Sequence, residues 1–231
     1  MYYQLLPTKV YKSTRTNTEI TNLKCRYCYI KDESISHLLS SCGSLAKSDY
    51  LRRHNKALDC FINQVLFRYG LIKSLPPWFS KTKLKPHYDN LKATVWYDVP
   101  EYISKEAETD VDEQKMMRPD GKIMLKEEKV IYVVEMSVPW MNNRESKYRE
   151  KVQKYDRVRR NLKINHPEYK IDQITLIMDV LGGYSSELGQ NIEKIIKEKD
   201  EKEQVIFKMQ KVIMSELSYF AKKFKATADV V

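Results

Sequence analysis

The sequence predicts an α/β fold behind a small cysteine-rich module, and three observations carry that prediction. β-Branched apolar runs at residues 93–97, 130–134 and 171–181 alternate with helical spacing, in the order strand, strand, helix, strand, helix. Cys25, Cys28, His37 and Cys42 stand at C-x2-C-x8-H-x4-C spacing. The basic charge is concentrated at the front: residues 1–95 carry 16 Lys and Arg against 6 Asp and Glu, and residues 96–231 carry 25 of each. A basic face of this kind usually meets polyphosphate.

Composition bounds the rest. The chain has 231 residues, 42% apolar and 31% charged, with 6 Gly and 8 Pro, which is globular and enough for one large domain or two small ones. No run approaches the roughly 18 apolar residues of a membrane span, and residues 1–7 do not read as a secretory signal. A reducing, intracellular setting is therefore expected, with the four cysteines as ligands or core residues, not disulfides.

In chain order, residues 1–22 read as an extended basic arm, with Lys9, Lys12 and Arg15 among Thr and Ser. Residues 23–70 read as a zinc knuckle and helix. Three thiolates and one imidazole suit tetrahedral Zn²⁺, and four protein ligands make the site structural, not catalytic. Cys60 is left for the core. The helix carries a stripe of Leu51, Leu58, Phe61, Ile62, Val65 and Leu66 and ends at Gly70. Arg52, Arg53 and His54 sit near its start, and His54 reads as a capping or packing residue before a metal ligand. Residues 71–92 form a basic linker in which Lys81, Lys83 and Lys85 lie close to Trp78 and Phe79. Such a linker can follow a phosphate backbone or simply be solvated. Residues 93–231 form the α/β core. Within it, residues 101–117 are an acidic, polar excursion, and a helix starts at Asn143 and runs to about Asn165. Gly182 and Gly183 make a turn into a further helix, and the last 40 residues supply one or two helices. Their buried side is Val205, Ile206, Phe207, Val212, Ile213 and Leu217.

The chemistry is expected at residues 118–155. Glu135 continues the apolar run at 130–134, and a carboxylate there is costly unless compensated. A divalent cation would compensate it, with Asp120 as second ligand. The plain alternative is a hairpin turn at Asp120-Gly121 and a solvated strand end at Glu135. In the helix that follows, Tyr148, Val152, Tyr155 and Leu162 form the apolar stripe. Lys151 lies about 60° from its centre and Lys154 about 120°, so Lys151 runs along the buried edge and Lys154 points more to solvent.

Arg118-Pro119-Asp120 followed by Glu135 resembles the PD-(D/E)-x-K nuclease superfamily, with Ser137 at the usual second lysine position. Taken with Cys25-Arg26-Tyr27-Cys28, His37 to Cys42, Tyr50 to Asn55, Lys151 to Tyr155 and Asp179 to Gly183, the chain resembles the zinc knuckle and restriction-like endonuclease module of site-specific non-LTR retrotransposons. The likeness spans about residues 20–225. It implies a restriction-endonuclease-like mixed sheet flanked by helices. It also implies a Mg²⁺-dependent DNA endonuclease that nicks its target, so that reverse transcription is primed from the 3′ hydroxyl. By the resemblance, Asp120 and Glu135 hold magnesium, and Lys151 or Lys154 is the catalytic lysine. The candidate DNA contacts are Arg52, Arg53, Lys81, Lys83, Lys85 and Arg118. The implied partners are double-stranded target DNA, element RNA and a reverse transcriptase domain of a parent polyprotein, at a nuclear site of action. No membrane is implied. The family usually has Asp where Glu135 stands, and this chain has no reverse transcriptase stretch, which implies a C-terminal fragment or a degraded copy. The alternative reading is a non-catalytic nucleic-acid-binding zinc module with a decayed nuclease core.

Overall fold

The computed structural model describes residues 6–15, 20–102 and 116–228. Residues 1–5 and 16–19 of the expected arm and residues 103–115 of the acidic excursion fall outside them. The described chain is mixed α/β: a five-stranded mixed sheet flanked by helices, with the Cys/His cluster near the N-terminus. Helix α1 (Lys9–Arg15) opens it, where an extended arm was expected. The knuckle follows, with π-helical turns at His37–Ser41 and Ala46–Tyr50 around a short α2 (Gly43–Leu45). Helix α3 is Leu51–Arg68.

The sheet order is β1-β2-β5-β6-β7, from β1 (His87–Asp89), β2 (Ala93–Tyr97), β5 (Gly121–Leu125), β6 (Val130–Ser137) and β7 (Lys170–Ile177). Strands β3 (Glu101–Tyr102) and β4 (Met116–Met117) pair separately. All the main pairings are antiparallel except β6 with β7, which are joined by α4 (Arg144–Lys154) and α5 (Asp156–Asn165). A parallel pair requires such a crossover. Helices α6 (Ser186–Glu193) and α7 (Lys199–Ala228) complete the chain.

Strand β6 is buried on both faces, as its β-branched run requires. Tyr132, Val134 and Met136 join α3, α6 and α7 in the larger core, which includes Phe61, Ile62, Ile123, Leu176, Ile192 and Met209. Ile131 and Val133 pack on the opposite face against Tyr155, Val158 and Leu162 of the α4–α5 layer. A third core joins the knuckle (Cys25, Leu38, Leu39, Cys42, Leu45) to Val180 and to Leu217, Phe220 and Phe224 of α7.

Several boundaries differ from the sequence reading for local reasons. Residues 87–89 of the expected linker form edge strand β1, paired to β2. The helix expected over 143–165 breaks at Tyr155 (φ −102°, ψ 15°), whose ring is driven into the core. Leu51 and Phe207 are exposed, although the rest of their stripes is buried. Gly70 (φ +67°) ends α3 as expected, with the Leu71 amide donating to the Leu66 carbonyl in a Schellman closure. The Gly182-Gly183 turn is capped by Asp179, which accepts from the Leu181 and Gly183 amides. A Cβ at Gly183 would lie 2.5 Å from that carboxylate.

Charge ties α3 to α7. Buried Glu216 accepts from Arg52 Nε and Lys56 Nζ, both at 2.6 Å. Asp49 meets Arg52 at 3.3 Å and Lys223 at 2.8 Å. Burial alone would raise the Glu216 pKa, but Lys56 and Arg52 outweigh it and hold it below the ordinary glutamate value. A depressed carboxylate contributes stability above its unfolded pKa, and this is lost as pH falls through the folded value. Glu216→Gln should therefore be less stable at neutral pH and lose less on acidification, as read by denaturant unfolding at stepped pH. Phe61→Ala should cost about 3–5 kcal/mol, whereas Phe207→Ala should stay within about 0.5 kcal/mol, by the same measurement.

Candidate active site and zinc knuckle

The sheet register builds the site. Gly121 pairs with Val134, so Asp120, one residue earlier, reaches the level of Glu135. Pro119 is buried and the Asp120 carbonyl accepts from the Asp98 amide, which pins the approach to β5. Asp120 Oδ2 accepts from the Met136 amide at 2.7 Å and meets His54 Nε2 at 3.1 Å. His54 Nε2 also lies 3.2 Å from the Met136 carbonyl oxygen, and Nδ1 lies 2.9 Å from Asn55 Oδ1. Burial favours the neutral imidazole, but the Asp120 hydrogen bond and charge outweigh it and raise His54 to about 9. Burial likewise opposes ionisation of Asp120, and His54 holds that carboxyl below its ordinary value.

Glu135 is 2% exposed and sits on the α4 face of β6 beside Thr175 of β7. Lys151 Nζ donates to Glu135 Oε1, and Lys154 Nζ is 4.0 Å from the same oxygen. Glu135 Oε2 is buried with no hydrogen-bond partner. The neighbouring Tyr155 hydroxyl donates to the Arg118 carbonyl at 3.0 Å and accepts from Lys154 Nζ at 2.9 Å. Burial first, then the charge of Asp120, raises the Glu135 pKa against the pull of Lys151. A buried carboxylate oxygen without a hydrogen-bond partner is a costly group that calls for a physical reason.

Of the expected site residues, Lys151 and Lys154 reach Glu135, and Asp120 stands at the end of the neighbouring strand, level with it. Lys81, Lys83 and Lys85 are exposed along the segment leading to β1. Arg118 is exposed and paired with Asp98 at 2.7 Å. Arg52 is held by Glu216 and Asp49 and stacks over Tyr219 at 4.3 Å. Arg53 is buried and donates to the Leu39 carbonyl at 2.8 Å, so it presents no charge at the surface and instead holds the knuckle to α3. Burial lowers its pKa to about 10.

His54 is the residue sequence reasoning set aside. The available signal was its phase: it precedes Leu58 and Phe61 at helical spacing and so lies on the face of α3 that packs on the sheet. Asp59 was also missed. It accepts from the Tyr97 hydroxyl at 2.8 Å, and burial raises its pKa.

In the knuckle, the ligand atoms of Cys25, Cys28, His37 and Cys42 lie within 4.8 Å of one another. The Cys25 and Cys42 sulfurs are 3.9 Å apart, against about 3.8 Å for the edge of a Zn–thiolate tetrahedron. His37 presents Nε2 to Cys28 at 3.2 Å, while Nδ1 is 3.3 Å from the Ser41 hydroxyl, which fixes the ring. Backbone amides of Lys31 and Ile30 lower the Cys28 thiol to about 6, favouring the thiolate a metal needs. Burial pushes the Cys42 thiol up to about 11. The four residues fit zinc.

No family model and no curated protein matches the chain. Among solved structures, an N-terminal domain of a reptarenavirus L protein aligns at 20% identity and a TM-score of 0.25, over 47% of this chain and 60% of that one. Chelation should remove one zinc per chain and, because the knuckle shares a core with α7, expose the C-terminal half of that helix to proteolysis. Metal analysis and limited proteolysis with and without chelator would check this, with Cys28→Ser matching the chelated pattern.

Proposed function

We propose that this chain is a metal-dependent DNA endonuclease whose nick primes reverse transcription of a non-LTR retrotransposon. The observation that supports it most is the unpartnered, buried Glu135 Oε2 beside Asp120, with Lys151 reaching the same carboxylate from α4. A divalent cation there would be held by Asp120 and Glu135, and would offset charge on a phosphate and acidify a bound water. The chain's own groups do the rest. The Met136 amide and His54 aim Asp120. Tyr155 fastens the Arg118 carbonyl, which fixes the stretch before Asp120. Lys151, carried on a helix whose stripe is anchored by Tyr155, brings an ammonium group to the edge where a scissile phosphate would sit. Lys154, 45% exposed, stands further out towards a passing backbone. Lys81, Lys83 and Lys85 would track the duplex, the knuckle would hold zinc, and a nuclear site of action follows from this reading.

A second reading, a non-catalytic nucleic-acid-binding zinc module, is favoured by one feature. His54 faces Asp120 and Lys151 faces Glu135, so each carboxylate already has a basic partner.

Nicking of supercoiled plasmid in Mg²⁺ or Mn²⁺ separates the two. The wild-type chain should nick, and Asp120→Asn and Glu135→Gln should fall to background with DNA affinity kept within a few-fold. Lys151→Ala should slow single-turnover nicking by about 10²–10⁴-fold, in the range of a lost acid–base or charge-stabilising group, and Lys154→Ala should slow it less. No nicking by the wild-type chain, with DNA binding intact, supports the second reading. Replacing Lys81, Lys83 and Lys85 together by Ala should weaken DNA binding and flatten its logarithmic salt dependence by up to about 0.9 per lost phosphate contact, read by anisotropy titration across salt.

A further inference from the structure

The segment between α3 and β1 carries an aromatic ring that the core leaves out. Phe79 is 64% exposed, and its ring meets Trp78 edge-on, with centroids 5.6 Å apart and planes at 89°. Trp78 itself packs against the main core, as do Leu84 and Tyr88 further along. The turn that carries Phe79 is closed: the Ser80 amide donates to the Pro77 carbonyl at 2.9 Å and the Thr82 amide to Ser80 Oγ at 3.1 Å. Pro76 and Pro77 fix φ on the entering side. Lys81, Lys83 and Lys85 follow, all exposed, and their ammonium groups have no partner among the described residues. No acidic residue stands between Asp59 and Asp89 in the sequence. An exposed ring held in place, with an unopposed row of cations leading from it, has the two parts of a surface for unpaired nucleic acid. The ring stacks on a base, and the cations meet phosphates.

We propose that Phe79 stacks on an unpaired base and that Lys81, Lys83 and Lys85 carry the adjoining backbone, so that the ligand of this segment is duplex DNA with a single-stranded end. This rests on the DNA reading above and not on the metal site. In an intact duplex each base lies between its neighbours, and an exposed ring finds no free face to cover. Lysines alone would serve a duplex backbone. In the proposed function the nicked strand must leave the duplex before its 3′ hydroxyl can prime, so the same chain meets an unpaired stretch. Trp78 is a positioning residue: seated on the core, it holds the Phe79 ring in place without meeting the base. The closed, proline-restricted turn has little freedom to lose on binding, which favours affinity.

The test uses the zinc-loaded full chain without added Mg²⁺ or Mn²⁺, so that no strand is cut. The probes are a blunt duplex and the same duplex extended by a short 3′ single strand, with 2-aminopurine placed in turn at each unpaired position. The wild type should bind the extended duplex more tightly by about 5–150-fold, the scale of one stacked base, and change the fluorescence at one position above the rest. Phe79→Ala and Phe79→Leu should lose both signals, with the unfolding midpoint and the salt slope unchanged, because stacking releases no counterions. Phe79→Trp should keep both. Replacing Lys81, Lys83 and Lys85 by Ala should instead weaken both probes and flatten the slope. Equal wild-type affinity for the two probes, with no position-specific fluorescence change, would overturn the stacking role and leave the DNA reading standing. A preference kept in Phe79→Leu would overturn it too, as an apolar contact that needs no π face. Binding of neither probe would overturn the stacking role and the DNA reading together. Phe79-dependent binding to phosphatidylserine vesicles, without preference for the extended duplex, would overturn the proposal and assign the segment to a membrane surface.

Discussion

The interaction on which the rest depends is the burial of Glu135 near the end of a central strand. β6 is covered on both faces and pairs with β7 at this residue, and Glu135 is 2% exposed. A charge in that position is tolerated only with compensation close by. The fold supplies this directly through Lys151 from the layer above, while Asp120 from the neighbouring strand end adds a second negative charge that His54, from the helix below, balances. Each comes from a different element, so the layers are held in register around one costly group. Such concentrations of opposed charge in a partly closed site are where chemistry is usually found.

Helix α3 connects this site to the knuckle. Its first turns carry Arg53, bonded to the Leu39 carbonyl of the knuckle, and His54, bonded towards β6. Its later turns fill the main core through Phe61, Ile62 and Val65. The same helix is tied to α7 by Glu216, and α7 in turn lies on the knuckle through Phe220 and Phe224. Arg26 stacks on the Phe224 ring at 4.2 Å while its guanidinium is held by buried Glu33. The knuckle is thus built into the wall of the α/β core, and its four ligands stabilise the elements that position His54.

The basic front of the chain divides in two. Arg52, half-buried, is held by Glu216 and Asp49, and buried Arg53 by the Leu39 carbonyl, so both tie α3 to its neighbours. Lys81, Lys83 and Lys85 remain outside on a segment stiffened by Pro76, Pro77 and Pro86. A count of charge along the sequence does not distinguish the two groups, because burial is decided by partners far away in the chain.

What the sequence by itself determined were features whose physics is local. The strand at 130–137 follows from a β-branched run, the end of α3 from Gly70, and the knuckle from four ligands within 18 residues. The placing of Lys151 near Glu135 also follows from helical rotation once Tyr155 is taken as core. What only the tertiary structure decided were features that need distant partners. Edge strand β1 exists because β2 offers it a ladder. The helix over 144–165 breaks because the core takes the Tyr155 ring. Arg53 is buried because the knuckle carbonyls need a donor. His54 joins Asp120 across 66 residues because α3 packs with that phase against the end of β6. Periodicity in the sequence places a histidine on the inner face of a helix, and only the packing of that helix on the sheet places its nitrogen beside a carboxylate.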